Sequence, residues 1–445
     1  MNIKSKILQK LSDKSFKDLF KNSSIVMIAK ILGVILGFIT NIIIARYYGA
    51  ETVGTIALVN SFIAIASLFV LFGTNTAILK LIPQYTIQHS ISSAYNLFRK
   101  SLFLVMLMGI FITGLLYWLS PLIAETVFKN NELIPYFIVI SILIFFIATN
   151  ELNLNGLRAL HDIKTFAILN ILPSVFTLIA ILVVTFYFYN KNSPIYIYII
   201  VPASMFFITL YFINKEFKEK LPKKVDENIA NIKLKEILLI SSPMLLISGM
   251  HLVMSQADII IIGMYMSEKD VGIYAIAIKI TLLTSFVLNA VNSVVSPKFS
   301  QYYHANDMVA LKKTVKDSSN LIFYSTFPIL IILLMFSKYI LGIFGEEFKE
   351  AYFILFIVLF GQIINILFGA IDNFLSMTGN QIFFQYILIF GLIINVLLNL
   401  LLIPSYGLIG AAIATTISFV IWKVLAIILM YKKFGFTTIS FKIHD

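Results

Sequence analysis

From Asn22 to Gly54 the chain reads NSSIVMIAKILGVILGFITNIIIARYYGAETVG, an apolar run longer than the about 20 residues that cross a bilayer's hydrocarbon core, with Lys30 well inside it. In water such a run would need a large polar exterior around it. With 59% hydrophobic residues, 13% charged residues and a mean hydropathy of +0.93, the chain has no such exterior to offer. The sequence therefore specifies a polytopic membrane protein. Its apolar runs are continuous and helix-length rather than alternating, which excludes an outer-membrane barrel. At 100° per residue, Ser23, Lys30, Gly33, Gly37 and Asn41 fall on one narrow stripe of the first helix. A polar, small-residue stripe faces protein or a water-filled cavity, and an ionisable group on it is a functional-site candidate. The competing reading is a lysine that snorkels to the near interface, about two turns away.

The remaining apolar runs predict twelve spans: 22–46, 52–82, 94–119, 133–156, 163–189, 195–214, 237–264, 270–296, 318–344, 351–377, 381–403 and 407–431. Residues 1–21 carry six lysines and apolar residues at Ile3, Ile7, Leu8 and Leu11, the pattern of a cytoplasmic amphipathic segment lying on an anionic membrane surface. It does not read as a signal peptide, because the following apolar run is too long and no small-residue cleavage site follows it. The division expected is an N-terminal six-helix lobe at 22–214, a lysine-rich cytoplasmic linker at 215–236, a C-terminal six-helix lobe at 237–431 and a cytoplasmic tail at 432–445. With both termini cytoplasmic, 25 Lys and Arg lie inside and six outside, a clear positive-inside bias. The net charge of +12 is thus a topological feature that attracts anionic lipid, with no implication of nucleic-acid binding.

An internal repeat connects the two halves. A shift of 218 residues sets Ser23-Ser24 on Ser241-Ser242 and Val53-Gly54 on Val271-Gly272. Six spans per half give both copies the same orientation, so the repeats are parallel and substrate is expected between them. The first stripe maps onto Ser241, Ser248, His251 and Ser255 of span 7, with Asp258 near that face; serines at this spacing also serve as plain helix–helix contacts. Lys279 in span 8 shares a face with Gly272, Ala275, Phe286, Ala290 and Ser293, nine residues or more from either end of the span. In span 10, Asp372 lies on a stripe with Gly361, Asn365, Ser376 and Gly379, suited to balancing a lysine, binding a coupling cation or making an interhelical hydrogen bond. Lys423, Glu151, Arg158 and His161 read as interfacial or structural.

Several chemistries are missing. The chain has no cysteine, its five histidines show no metal-ligand spacing, and no phosphate-binding loop of the Walker type occurs. The outer loops are too short to carry the paired carboxylates of a glycan polymerase, so no enzyme, metal or cofactor is expected. Gly407-Leu408-Ile409-Gly410-Ala411-Ala412 opens a hydrophobic span and fits close helix packing.

The first span followed by Ala45-Arg46-Tyr47-Tyr48-Gly49-Ala50-Glu51-Thr52-Val53-Gly54, the matching turn from Ser267 to Tyr274 and the late glycine-rich opening resemble the polysaccharide-repeat-unit flippases of the multidrug/oligosaccharidyl-lipid/polysaccharide exporter superfamily. The resemblance runs from Asn22 to about Tyr431, and departs from the usual pattern at Tyr48 and Val53. It implies an all-α integral membrane fold of twelve transmembrane helices, two parallel-repeat six-helix lobes forming a V-shaped central cavity. It also implies alternating access that moves a polyprenyl-diphosphate-linked oligosaccharide to the outer leaflet of the cell membrane for surface-polysaccharide biosynthesis. A monomer working with a polysaccharide polymerase complex is the expected state. On that reading Lys30 and Lys279 meet the diphosphate, Asn41, Ser248, His251 and Ser255 line the cavity, and Asp258 and Asp372 serve cation coupling or charge balance. The alternatives are a cation-coupled multidrug exporter of the same superfamily and a peptidoglycan lipid-precursor flippase, the latter resembling a fourteen-span plan.

Overall fold

A computed structural model describes residues 14–221 and 233–438. The amphipathic segment expected at 1–21 falls mostly outside the described residues, as do the middle of the 215–236 linker, the end of the 432–445 tail and the side chains of 14–23, 247 and 251. The described elements are helices: α1 Lys14–Leu71, α2 Thr74–Gln88, α3 Ile91–Leu122, α4 Ile134–Ala159, α5 Ile163–Tyr187, α6 Ser193–Lys220, α7 Leu234–Tyr265, α8 Glu268–His304, α9 Met308–Met335, α10 Ser337–Phe344, α11 Tyr352–Phe368, α12 Ile371–Met377 and α13 Gln381–Phe434. Among the described residues nine helices are long and apolar enough to cross a membrane, or ten with α7, which bends by 46° between Leu234–Met250 and Leu252–Tyr265. This is a multi-pass, all-helical membrane protein.

Two of these helices are double-length and broken at a glycine. In α1 the break is Gly49 (φ 82°, ψ 174°) and in α13 it is Gly407 (φ 57°, ψ −138°). A positive φ suits glycine, which has no Cβ to clash with the carbonyl. Three expected spans also carry breaks. Span 2 stops at Phe72 and Gly73, both with positive φ; span 9 divides at Phe336 into α9 and α10; span 10 divides at Gly369 into α11 and α12. Continuous hydropathy concealed all three.

The chain forms two compact units, Met1–Tyr47 with Phe62–Gly249, and Tyr48–Ser61 with Met250–Asp445. This differs from the linear division expected at 22–214 and 237–431. Residues 48–61 belong to the second unit because Gly54 and Gly272 bring α1 and α8 into backbone contact, and because Ser61 Oγ donates to Gln256 Oε1 at 2.7 Å. Glu347 accepts the Ala50 N–H at 2.6 Å, capping the helix that restarts after Gly49. The start of α7 belongs to the first unit for the same kind of reason. Gly73 sits against the Ser241 carbonyl and the Leu245 backbone, with Leu68 packed beside Gly249.

Within the first unit α4 packs between α3 and α6, with Phe137, Ile140, Ile144 and Ala148 fully buried. Within the second, α8 packs on α9 and α11 on α13, around Tyr274, Phe299 and Phe374. The start of α8 is fixed by a capping box, in which Ser267 Oγ accepts from Asp270 N–H and the Asp270 carboxylate accepts from Ser267 N–H. The tight entry of α13 after Gly407 puts Gly410 on the Leu402 carbonyl and leaves Ala411 and Ala412 without exposed surface, as close packing requires.

Candidate functional site

Two clusters of polar side chains in the second unit contain the acids Asp258 and Asp372. The first surrounds Asp258 on α7, which is 7% exposed. Its carboxylate accepts from Tyr274 OH of α8 at 2.8 Å, from Thr415 Oγ1 at 2.5 Å, from Asn399 Nδ2 at 2.7 Å and from Asn395 Nδ2 at 3.4 Å. The last three residues come from both halves of α13, which Gly407 folds apart. Asn395 and Asn399 stand one turn apart, so a single face supplies both amides. Among the described residues no cation pairs with Asp258, and the Oδ1 atoms of Asn395 and Asn399 are buried without a hydrogen-bond partner. A buried carboxylate satisfied by neutral donors alone keeps its charge, or its proton, uncompensated by any cation among the described residues.

The second place is an ion pair. Lys423 Nζ donates to both carboxylate oxygens of Asp372, at 2.8 and 2.9 Å, and lies 4.5 Å from the Trp422 ring centroid. Lys423 has no exposed surface, so of the interfacial or structural roles expected for it the structural one fits a core residue. Of the roles expected for Asp372, charge balance is the one its geometry displays.

The remaining candidates are dispersed. Lys30 is exposed on α1 in the first unit, and Lys279 is half-buried on α8 in the second. Asn41 is buried and its Nδ2 donates to Gly37 O of its own helix at 2.5 Å, so the amide is engaged by the helix that carries it. The serine stripe of α7 does not remain one face: Ser241 is fully buried in the first unit, Ser248 is half-buried, and beyond the bend Ser255 is exposed with its Oγ donating to Leu252 O at 2.8 Å. The His251 side chain lies outside the described residues. Sequence reasoning missed Tyr274, Asn395, Asn399 and Thr415 as partners of Asp258. The readable signal was the Asn395/Asn399 pair, one turn apart in an otherwise apolar helix.

The comparisons with known proteins agree with this architecture. Residues 51–352 match the family model described as "Polysaccharide biosynthesis protein". The probable low-salt glycan biosynthesis flippase Agl15 of Haloferax volcanii is 29% identical over 196 residues, 42% of this chain and 42% of that protein. The lipid II flippase MurJ in an inward closed conformation superposes with a TM-score of 0.71 at 19% identity, over 92% of this chain and 89% of that one. An inward-facing multidrug resistance transporter of the MATE family in the MOP superfamily gives 0.72 at 15% identity, over 90% and 94%. At those identities the two structures establish the fold.

Proposed function

The chain belongs to the polysaccharide biosynthesis protein family, and from that membership we propose that it is a flippase carrying a polyprenyl-diphosphate-linked oligosaccharide from the cytoplasmic to the outer leaflet of the cell membrane by alternating access. The observation that carries this reading is the contrast among three lysines inside apolar helices. Lys423 is fully buried, whereas Lys30 is exposed and Lys279 half-buried. Accessible cations in membrane-spanning helices suit an anionic headgroup, and a diphosphate is one. No covalent bond changes in such a cycle, and the prenyl chain remains in lipid. Counting α1 and α13 as two spans each at their broken glycines, and α7 as one, supports a reading of twelve crossings. With the positive-inside bias, an even number supports a reading with both termini in the cytoplasm.

Reconstitution in liposomes with a fluorescent polyprenyl-diphosphate oligosaccharide tests this reading. Wild type is expected to reorient the lipid and Lys279→Ala to slow it about tenfold or more, the scale of one lost charge-assisted hydrogen bond. Failure of both proteins to move the lipid, with a cationic dye expelled against an ion gradient, would transfer the assignment to a cation-coupled multidrug exporter.

Coupling falls to Asp258 in this scheme. Asp372 is left to its lysine. Asp258→Asn removes the charge that attracts a cation while keeping the side chain's size, so transport stimulated by an imposed sodium or proton gradient is expected to fall to the gradient-free rate. Stimulation equal to wild type would remove Asp258 from the cycle.

A further inference from the structure

The first unit contains a polar patch away from the lysines and aspartates described above. On α4, Leu152, Asn153, Leu154, Gly156, Leu157 and Ala159 are buried, while Glu151 and Arg158 are exposed and Asn155 is half-buried between them. Their spacing of four and three residues puts these three on one face. Glu151 lies eight residues before the end of the helix, about 12 Å along the axis. An exposed carboxylate within an apolar helix faces water, because acyl chains would not tolerate it.

A distant element completes the patch. Asn75 is the second residue of α2, directly after the left-handed turn at Gly73, and Gly73 is seated on the Ser241 carbonyl and the Leu245 backbone. That seat allows little freedom to the start of α2, and it delivers Asn75 Nδ2 to Glu151 Oε1 at 2.6 Å. Asn155 Nδ2 donates to Glu151 O at 3.1 Å. With both amide nitrogens engaged in this way, Glu151 Oε2, Asn75 Oδ1 and Asn155 Oδ1 are acceptors without a partner among the described residues.

Charge decides what could fill them. Arg158 stands over the Phe166 ring, 5.8 Å from its centroid, and among the described residues no cation forms an ion pair with Glu151. An uncompensated carboxylate repels phosphate and attracts neutral donors, of which vicinal sugar hydroxyls are the closest match to a carboxylate flanked by carboxamides. We propose that Glu151, Asn75 and Asn155 form a docking point for hydroxyl groups of the glycan headgroup, separate from the lysines assigned to the diphosphate. This rests on the lipid-linked glycan reading above.

The test is binding by the full-length protein in nanodiscs to two probes, polyprenyl diphosphate bearing an N-acetylhexosamine and the same polyprenyl diphosphate without sugar. Wild type is expected to prefer the glycosylated probe. Glu151→Ala and Asn75→Ala are expected to weaken that probe about tenfold, from loss of hydrogen bonds to a charged group, and to leave the unglycosylated probe within about twofold. Glu151→Gln, which keeps one acceptor oxygen, is expected to fall between. Because these side chains are exposed or half-buried, an unchanged thermal midpoint accompanies the expected result. Equal losses on both probes, no loss on either, no preference in wild type, or a loss appearing only as sodium dependence would overturn the docking point alone. Failure of wild type to bind either probe would overturn it together with the flippase reading.

Discussion

Alanine at position 54 is expected to prevent recovery of folded protein, although it adds a single methyl group. Gly54 and Gly272 are related by the shift of 218 residues, and the structure sets them against each other. A Cβ on Gly54 would enter the carbonyl oxygen of Glu268 and lie 2.8 Å from Gly272 N; a Cβ on Gly272 would enter the carbonyl oxygen of Ala50 and lie 2.9 Å from Gly54 N. Each glycine thus covers the carbonyl four residues before the other, and the contact reads the same from both sides. Backbones approach this closely only where no side chain intervenes, which is how small residues join helices in membranes. Overpacking against side chains costs about 1–3 kcal/mol because the neighbour can rotate aside. Here the obstructing atoms are peptide groups within helices, flanked by Ala50, Val53, Val271 and Ile273 at 0–2% exposure. The expected cost is therefore above about 3 kcal/mol, and Gly272→Ala should match it. The measurement is the yield of monodisperse protein after detergent extraction, together with its thermal midpoint. Gly114→Ala is the control, since a Cβ there meets nothing within 4 Å. If Gly54→Ala is recovered as well as Gly114→Ala, the close crossing of α1 and α8 is wrong.

That contact also shows what could be read from the residues and what could not. The Val53-Gly54 and Val271-Gly272 pairs were visible as a repeat because both stand at the same distance from a helix start, each glycine five residues after Gly49 in one copy and Ser267 in the other. That the repeats touch each other is a tertiary fact with no local signature. Hydropathy located the long apolar helices, since the bilayer acts on each segment separately. It missed the breaks at Phe72, Gly73 and Gly369, which are single-residue changes of φ inside uninterrupted apolar runs. It also assigned 48–61 and the start of α7 to the neighbours they follow in sequence, when side-chain and backbone contacts assign them otherwise. Asp258 was legible as an ionisable residue near a polar face. Its partners were not, because Asn395, Asn399 and Thr415 lie 137, 141 and 157 residues away.

Removing the charge of Asp372 is expected to destabilise the protein more than removing its partner Lys423. The two ends of the pair differ in environment: the Lys423 side chain is 1% exposed and that of Asp372 is 35% exposed. Asp372→Ala leaves a buried ammonium with only the Trp422 and Phe419 faces, at 4.5 and 5.6 Å, to offset its desolvation. Breaking a buried pair in this way costs about 3–5 kcal/mol. Lys423→Met leaves a carboxylate that can draw on water through its exposed third, so its cost should lie below that range. Replacing both, with Leu at 372 and Met at 423, should recover most of the stability, since a well-packed apolar pair dispenses with desolvation altogether. Thermal unfolding of the three variants in one detergent gives the order. Equal losses in the two single variants, or no recovery in the double, would contradict the asymmetric burial. The same experiment separates the lysines by role. Lys423 variants should lose transport only in proportion to lost folded protein, whereas Lys279→Ala, half-buried on α8, should fold as wild type and lose transport per folded molecule. A lysine held by an aspartate contributes to the scaffold, and the loss of transport per folded molecule in Lys279→Ala is what would separate a substrate-binding lysine from it.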